Sequence, residues 1–247
     1  MKIFDAHFHI IDFNYPVVGN NGYMPPEFTV GHYQEATNEY ELVGGAIVSG
    51  SFQAFDQNYL TDSLQQMGMD YFGVANIPAD MSDAELEVLN SQQVTAVRFN
   101  LKRGGSATIE HLKHLSNKLY EQFGWHTELY VDSKDLPSIK HLLHNLPSFS
   151  IDHLGLSKSG LSELYYWVEK GVRVKATGFG RIDFDPIKAM QQIHAINPNA
   201  LMFGTDLPST RAKIPFSAKD IRLIMNNFDG TAQEQIFYKN ALAWYRK

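Results

Sequence analysis

The chain has 247 residues, a formal net charge of −6, 44% hydrophobic and 19% charged residues, and no cysteine. That is globular usage, and the length suits one α/β barrel of about 250 residues better than two small domains. The acidic balance speaks against a general nucleic-acid binder, which would present a basic face. The lack of cysteine excludes a disulfide framework, a thiolate metal site and a cysteine nucleophile.

Taken in chain order, short β-rich runs alternate with longer helical ones. Residues 2–7 read as the first strand and begin close to the N-terminus, with no apolar stretch of leader length before them. A polar excursion over 12–29, rich in Gly, Asn and Pro, follows. A loop that long in a compact domain is often functional, so it is expected as a lid or pocket wall. Further apolar runs at 43–49, 71–77, 94–99, 127–131, 148–152, 172–177 and 200–203 have the Val/Ile/Phe-rich character of buried parallel strands.

Helical spacing fills the intervals. Ile109, Leu112, Leu115, Leu119 and Phe123 recur at three and four. Ser82 followed by Glu85 forms a capping-box signature. Further helices are expected over 137–146, 161–168, 216–228 and 231–245. Eight strand–helix repeats predict a single (β/α)8 TIM-like barrel domain over residues 1–247. No apolar run approaches the ~20 residues of a membrane span. The expectation is a soluble, cytoplasmic protein with no membrane or nucleic-acid partner. Its Met-rich and aromatic surface segments leave a homo-oligomer open.

Four groups of residues carry chemistry. His7 and His9 stand two apart at the end of the first strand, so both imidazoles project the same way, at the barrel end where active sites sit. Asp206 directly follows the last strand, and closure of a barrel brings strands one and eight together. His153 ends the sixth strand. Arg98, Lys102 and Arg103 follow the fourth, and Arg181 lies just beyond the seventh, which holds Lys175. Cations at the mouth of an acidic protein point to a small anionic organic substrate, because Arg grips carboxylates bidentately. His126 starts the fifth strand and lies too early to reach the mouth. The remaining histidines fall in helical stretches.

Five segments in order, Asp5-Ala6-His7-Phe8-His9, Val97-Arg98-Phe99-Asn100, Ile151-Asp152-His153-Leu154-Gly155, Lys175-Ala176-Thr177-Gly178 with Arg181, and Gly204-Thr205-Asp206-Leu207-Pro208, resemble the amidohydrolase superfamily. More narrowly, they resemble its amidohydrolase-2 group, which includes pyrone-dicarboxylate lactonases and sugar-lactone hydrolases. The resemblance implies Asp206 as general base, with His7, His9 and His153 lining the site. It implies Arg98, Arg181, Arg103 and Tyr130 as substrate-binding residues. Strand four here offers Arg98 and Asn100, and strand five Glu128 and Tyr130, where metal-dependent members carry ligands. A tight binuclear site is therefore not expected, and the resemblance to the lactonases implies that no metal is required. One divalent ion, zinc by donor type, on His7, His9 and Asp206 is the alternative.

The expected reaction is hydrolysis of a small, carboxylated lactone by Asp206-activated water, with a histidine donating to the oxyanion. The rivals are a zinc-dependent decarboxylase, a lactone isomerase and a non-catalytic barrel that binds a small acid.

Overall fold

The computed structural model describes residues 1–246. Eight parallel strands run β1 (Lys2–Phe8), β2 (Glu41–Val48), β3 (Tyr71–Ala75), β4 (Val94–Asn100), β5 (His126–Tyr130), β6 (Phe149–Ile151), β7 (Arg173–Ala176) and β8 (Leu201–Phe203). They pair in sequence order. The helices between and after them are α1 (Val30–Ala36), α2 (Asn58–Met67), α3 (Asp83–Ser91), α4 (Ile109–Phe123), α5 (Leu136–Leu143), α6 (Leu161–Glu169), α7 (Pro186–Ile196), α8 (Ala218–Met225), α9 (Gly230–Glu234) and α10 (Asn240–Tyr245). This is the (β/α)8 barrel the alternation predicts. The amphipathic 109–123 segment is a helix over that range, and Ser82 and Glu85 cap α3 reciprocally.

Residues 231–245 are helical as expected, but the run is not uniformly α: a π-helical turn, Gln235–Lys239, joins α9 to α10. Its residues Ile236 and Phe237 are fully buried, and Phe237 packs on Phe203 of β8. A wider turn lets the chain keep both in the core and still place Tyr245 beneath the barrel. Tyr245 stacks on Phe4 and Phe72, closing the inner core of Phe4, Ala6, Ala46, Val48, Val74, Ala96 and Met202 from below.

Strands β1 and β8 join through side chains and the loop beyond β8. The buried Asp5 carboxylate accepts from Thr205 N at 2.8 Å, Thr205 Oγ1 at 2.7 Å, Tyr33 Oη at 3.1 Å and His7 N at 3.2 Å. Backbone bonds from Asp206 N to His7 O (2.7 Å) and from His9 N to Leu207 O (2.8 Å) continue the seam towards the mouth. A Cβ on Gly204 would lie 2.7 Å from His7 N, so only glycine permits the approach. Burial pushes the Asp5 carboxyl up to about 6, against the donors that favour its charged form.

The 12–29 excursion is an arch pinned at several points. Ile11 and Phe28 bridge its base, Val18 N donates to Phe52 O, and the Arg211 guanidinium holds Asn20. It ends at Thr29, which caps α1. The arch thus ties the loops after β2 and β8 together.

Candidate active site

The parity of β1 breaks between Asp5 and Phe8, where the register with β2 shifts. Phe4 and Ala6 belong to the inner core, and the irregularity then turns His7 inward as well. His7 and His9 project together, with ring centroids 5.1 Å apart and planes near perpendicular. The His153 ring lies 4.9 Å from His7 and 5.0 Å from Tyr130. Asp206 completes the group, its Oδ1 lying 3.9 Å from both His7 Nε2 and His9 Nε2. All four side chains are nearly inaccessible to solvent. The structure therefore brings together the four residues singled out as chemical.

Backbone strain concentrates here. Asp206, His153, Leu154 and Leu156 all have φ between 50° and 68°, a region that costs non-glycine residues about 1–3 kcal/mol each. Gly178 has φ +62, and a Cβ there would come within 2.6 Å of His153 Nδ1. The His153 ring is thus seated against bare backbone.

The two Asp206 oxygens have different duties. Oδ2 accepts from Arg181 Nε at 2.7 Å, while Arg181 Nη2 donates to Thr210 O at 2.8 Å. Oδ1 is buried and, among the described residues, has no hydrogen-bond partner; the same holds for His7 Nε2. Burial pushes Asp206 above the ordinary carboxylate range despite the opposing pull of Arg181. Burial also holds His9 down to about 3 and keeps His7 and His153 well below the ordinary imidazole range, helped by the surrounding cations. At neutral pH these are neutral rings beside a carboxylate.

Hydrogen bonding fixes the His9 tautomer. Its Nδ1 lies 2.6 Å from Val48 O, a group that can only accept, so Nδ1 carries the proton and Nε2 offers a lone pair. His9 cannot donate to an oxyanion from Nε2, which leaves His7 and His153 as the histidines able to do so.

Above this group opens a pocket lined by Arg98, Arg103, Arg181 and Arg211, together with Ser51, Phe52, Asn100, Tyr130 and Thr210. The expected substrate-binding residues all line it. Arg98 is already engaged: Nε and Nη2 donate to Asp152 Oδ2 at 3.3 and 2.9 Å, and Nη1 donates to Ser49 O at 2.8 Å. One N–H on each terminal nitrogen remains. Arg103 Nε donates to Tyr130 Oη at 3.4 Å.

Sequence reading missed Arg211 and Asp152. Arg211, five residues past Asp206, could be inferred from the length of that loop. Asp152, beside His153, shows no signal as the partner of an arginine two strands away. His126 sits at the barrel floor against Tyr245, as its early position in the strand implies.

A divalent ion is testable on the donor set. His7, His9 and Asp206 offer ligand atoms within 4.8 Å of one another, all from buried residues. Two imidazoles and a carboxylate are zinc donors, and a His9 ring held through Nδ1 by a carbonyl is the usual support for ligation through Nε2. In donor chemistry the three residues fit one ion.

A (β/α)8 barrel with this His-x-His pair, a sixth-strand histidine and a terminal aspartate at its mouth has the layout of the amidohydrolases. The family profile, described as amidohydrolase, matches residues 4–247, and the chain belongs to this family. Among its relatives is the 2-pyrone-4,6-dicarboxylate hydrolase of Comamonas testosteroni, 26% identical over 156 residues. That match covers 61% of this chain and spans about half (51%) of the relative's length. Solved structures agree in fold. One, named as a probable 2-pyrone-4,6-dicarboxylic acid hydrolase from Acinetobacter baumannii with citric acid bound, has a TM-score of 0.82 at 23% identity, covering 99% of both chains. A structure from Agrobacterium tumefaciens has a TM-score of 0.86 at 18% identity, covering 99% of this chain and 96% of that one.

Proposed function

We propose that the chain hydrolyses a small, carboxylated lactone, with Asp206 as general base and without a required metal. The observation that carries this reading is the divided Asp206 carboxylate. One oxygen is clamped by Arg181, and the other is free, buried and aimed at two imidazoles beneath an arginine-lined pocket. A water about 2.8 Å from each of Asp206 Oδ1 and His9 Nε2 spans their separation and donates to both. Its oxygen attacks the lactone carbonyl carbon while Asp206 Oδ1 takes one proton. The ring C–O bond then breaks, and the alkoxide takes that proton back from Asp206, so lactone plus water gives a hydroxy acid. Donors facing the carbonyl oxygen stabilise the oxyanion, each supplying roughly 3 kcal/mol. Arg103 and Arg211 hold the substrate anion. The Comamonas relative, named for a lactone carrying two carboxylates, supports this substrate class.

The donor set favours one second reading, a single zinc on His7, His9 and Asp206. Bound there, zinc would polarise the carbonyl and acidify the attacking water. Proton release from a panel of sugar lactones, muconolactones and pyrone dicarboxylates, followed with and without a strong chelator, separates the two. Chelator-resistant turnover is expected. Turnover lost to chelator and restored by zinc transfers the site to the second reading, and no turnover on any member overturns the lactonase assignment.

A further inference from the structure

Beneath the site lies a buried charge cluster for which the proposed chemistry has no use. Lys175 and Glu128 are fully buried and paired with each other. Glu128 is also held by Tyr245 Oη and faces His126 Nε2 at 3.2 Å. The pair is costly to bury, and the barrel floor could have been filled by apolar side chains at less expense. Its upper end explains its presence. Lys175 Nζ reaches His7 Nδ1 at 3.5 Å, on the ring edge opposite the one that faces Asp206.

We propose that Lys175 is a positioning residue that fixes the tautomer of His7, keeping the ring proton on Nε2. An ammonium has only donors. A hydrogen bond to it requires a lone pair on Nδ1, and a proton on Nδ1 would set two N–H groups against each other. The competing partner for an Nδ1 proton, Asp152 Oδ1, stands farther off, at 3.6 Å, and lies 4.0 Å from the same ammonium. Glu128 anchors Lys175 from below, and Tyr245 and His126 anchor Glu128. The chain of contacts thus runs from the C-terminal helix to the floor of the site.

The consequence is a division of labour between two histidines of similar burial. His9, tied to Val48 O, presents a lone pair; His7, tied to Lys175, presents an N–H. One accepts from water and the other donates to the carbonyl oxygen. The same proton opposes ligation through His7 Nε2, so Lys175 also biases the site against zinc. Only the consequence for rate rests on the lactonase reading; the tautomer does not.

The test is long-range 1H–15N correlation of the imidazole rings in the 15N-labelled full chain, with His7 assigned from the spectrum of His7→Asn. The expected wild-type pattern is a protonated Nε2 and an unprotonated Nδ1 for His7, and the reverse for His9. In Lys175→Met the His7 proton is expected to move to Nδ1, facing Asp152, and zinc measured directly on the protein is expected to bind at least tenfold tighter. Because Lys175→Met strands a buried carboxylate, Lys175→Met/Glu128→Gln is measured beside it and is expected to show the same reversal. If a lactone substrate is in hand, kcat falls while KM stays within about twofold. A wild-type His7 protonated on Nδ1, or a tautomer unmoved in whichever Lys175 variant folds, overturns the proposal. If neither variant folds, the wild-type spectrum decides it alone.

Discussion

Replacing Asp206 with Asn tests the proposed chemistry with little disturbance of shape. Residue 206 has φ 60, a conformation Asn tolerates as readily as Asp, whereas Ala there would add strain. The Asn carboxamide oxygen can still accept from Arg181 Nε, and Thr210 O still holds Arg181 Nη2. Arg181 keeps these hydrogen bonds but loses its matching charge, so the cost to stability is expected to reach about 3–5 kcal/mol. What changes is the atom in place of Oδ1: an amide NH2 donates, and cannot take a proton from water. General-base catalysis contributes about 10²–10⁴-fold, so kcat is expected to fall by at least about 10². KM should not rise. Removing a negative charge near a bound anion favours its ground state by about 1–3 kcal/mol at an effective dielectric near 20. Proton-release kinetics on the best lactone, with denaturant unfolding as a control, provide both readings. A folded variant within tenfold of wild-type kcat, or one whose only defect is a raised KM, would refute the assignment of Asp206 as base.

Three other outcomes follow from particular contacts. His9 is held down to about 3 by burial, so its neutral form contributes stability above the unfolded value of about 6.5, and that contribution is lost as pH falls. Between pH 7 and 5 the wild type should lose about 2 kcal/mol more than His9→Gln in urea titrations, and equal losses would contradict the burial argument. Gly204→Ala drives a Cβ into His7 backbone across the β1–β8 seam and should cost at least about 2 kcal/mol, read as a lowered melting temperature. Arg211→Ala removes a pocket cation pinned by Asn20 and is expected to raise KM about tenfold with kcat nearly unchanged; a loss confined to kcat would place Arg211 at the reacting atoms instead.

The fold was legible because a parallel barrel writes each strand as a continuous apolar run and each helix as a 3.6-residue stripe. Both signals are local. The meeting of His7, His9 and Asp206 was legible because barrel topology alone makes strands one and eight neighbours. The π turn in the last helix was not, because Ile236 and Phe237 fit a helical stripe equally well with or without it. Nor could the sequence show that Arg98 would meet Asp152 and Lys175 would meet Glu128. Those pairs depend on side chains crossing the barrel interior, where several acids and bases compete for partners at similar sequence positions. The His9 tautomer depends on a single carbonyl, at Val48, that no residue type announces.

These interior pairings change which arginines are available to a substrate. Arg98 is matched by Asp152, Lys175 by Glu128 and Arg181 by Asp206, each within hydrogen-bond distance. Within the inner site these three pairs offset one another's charge. The uncompensated charge belongs to Arg103 and Arg211, which line the pocket and whose guanidinium contacts are to a phenol (Arg103) and to Asn20 and the Tyr23 ring (Arg211). An anionic group therefore gains most from these outer arginines, while Arg98 and Arg181 spend most of their hydrogen bonds holding Asp152 and Asp206 in place. This arrangement suits the proposed hydrolysis at Asp206: a carboxylate substrate would be attracted to the mouth, with its charge held short of the proposed base. An Arg98 or Arg181 freed to bind substrate directly would draw that negative charge against Asp206 Oδ1 and raise the cost of keeping the base ionised.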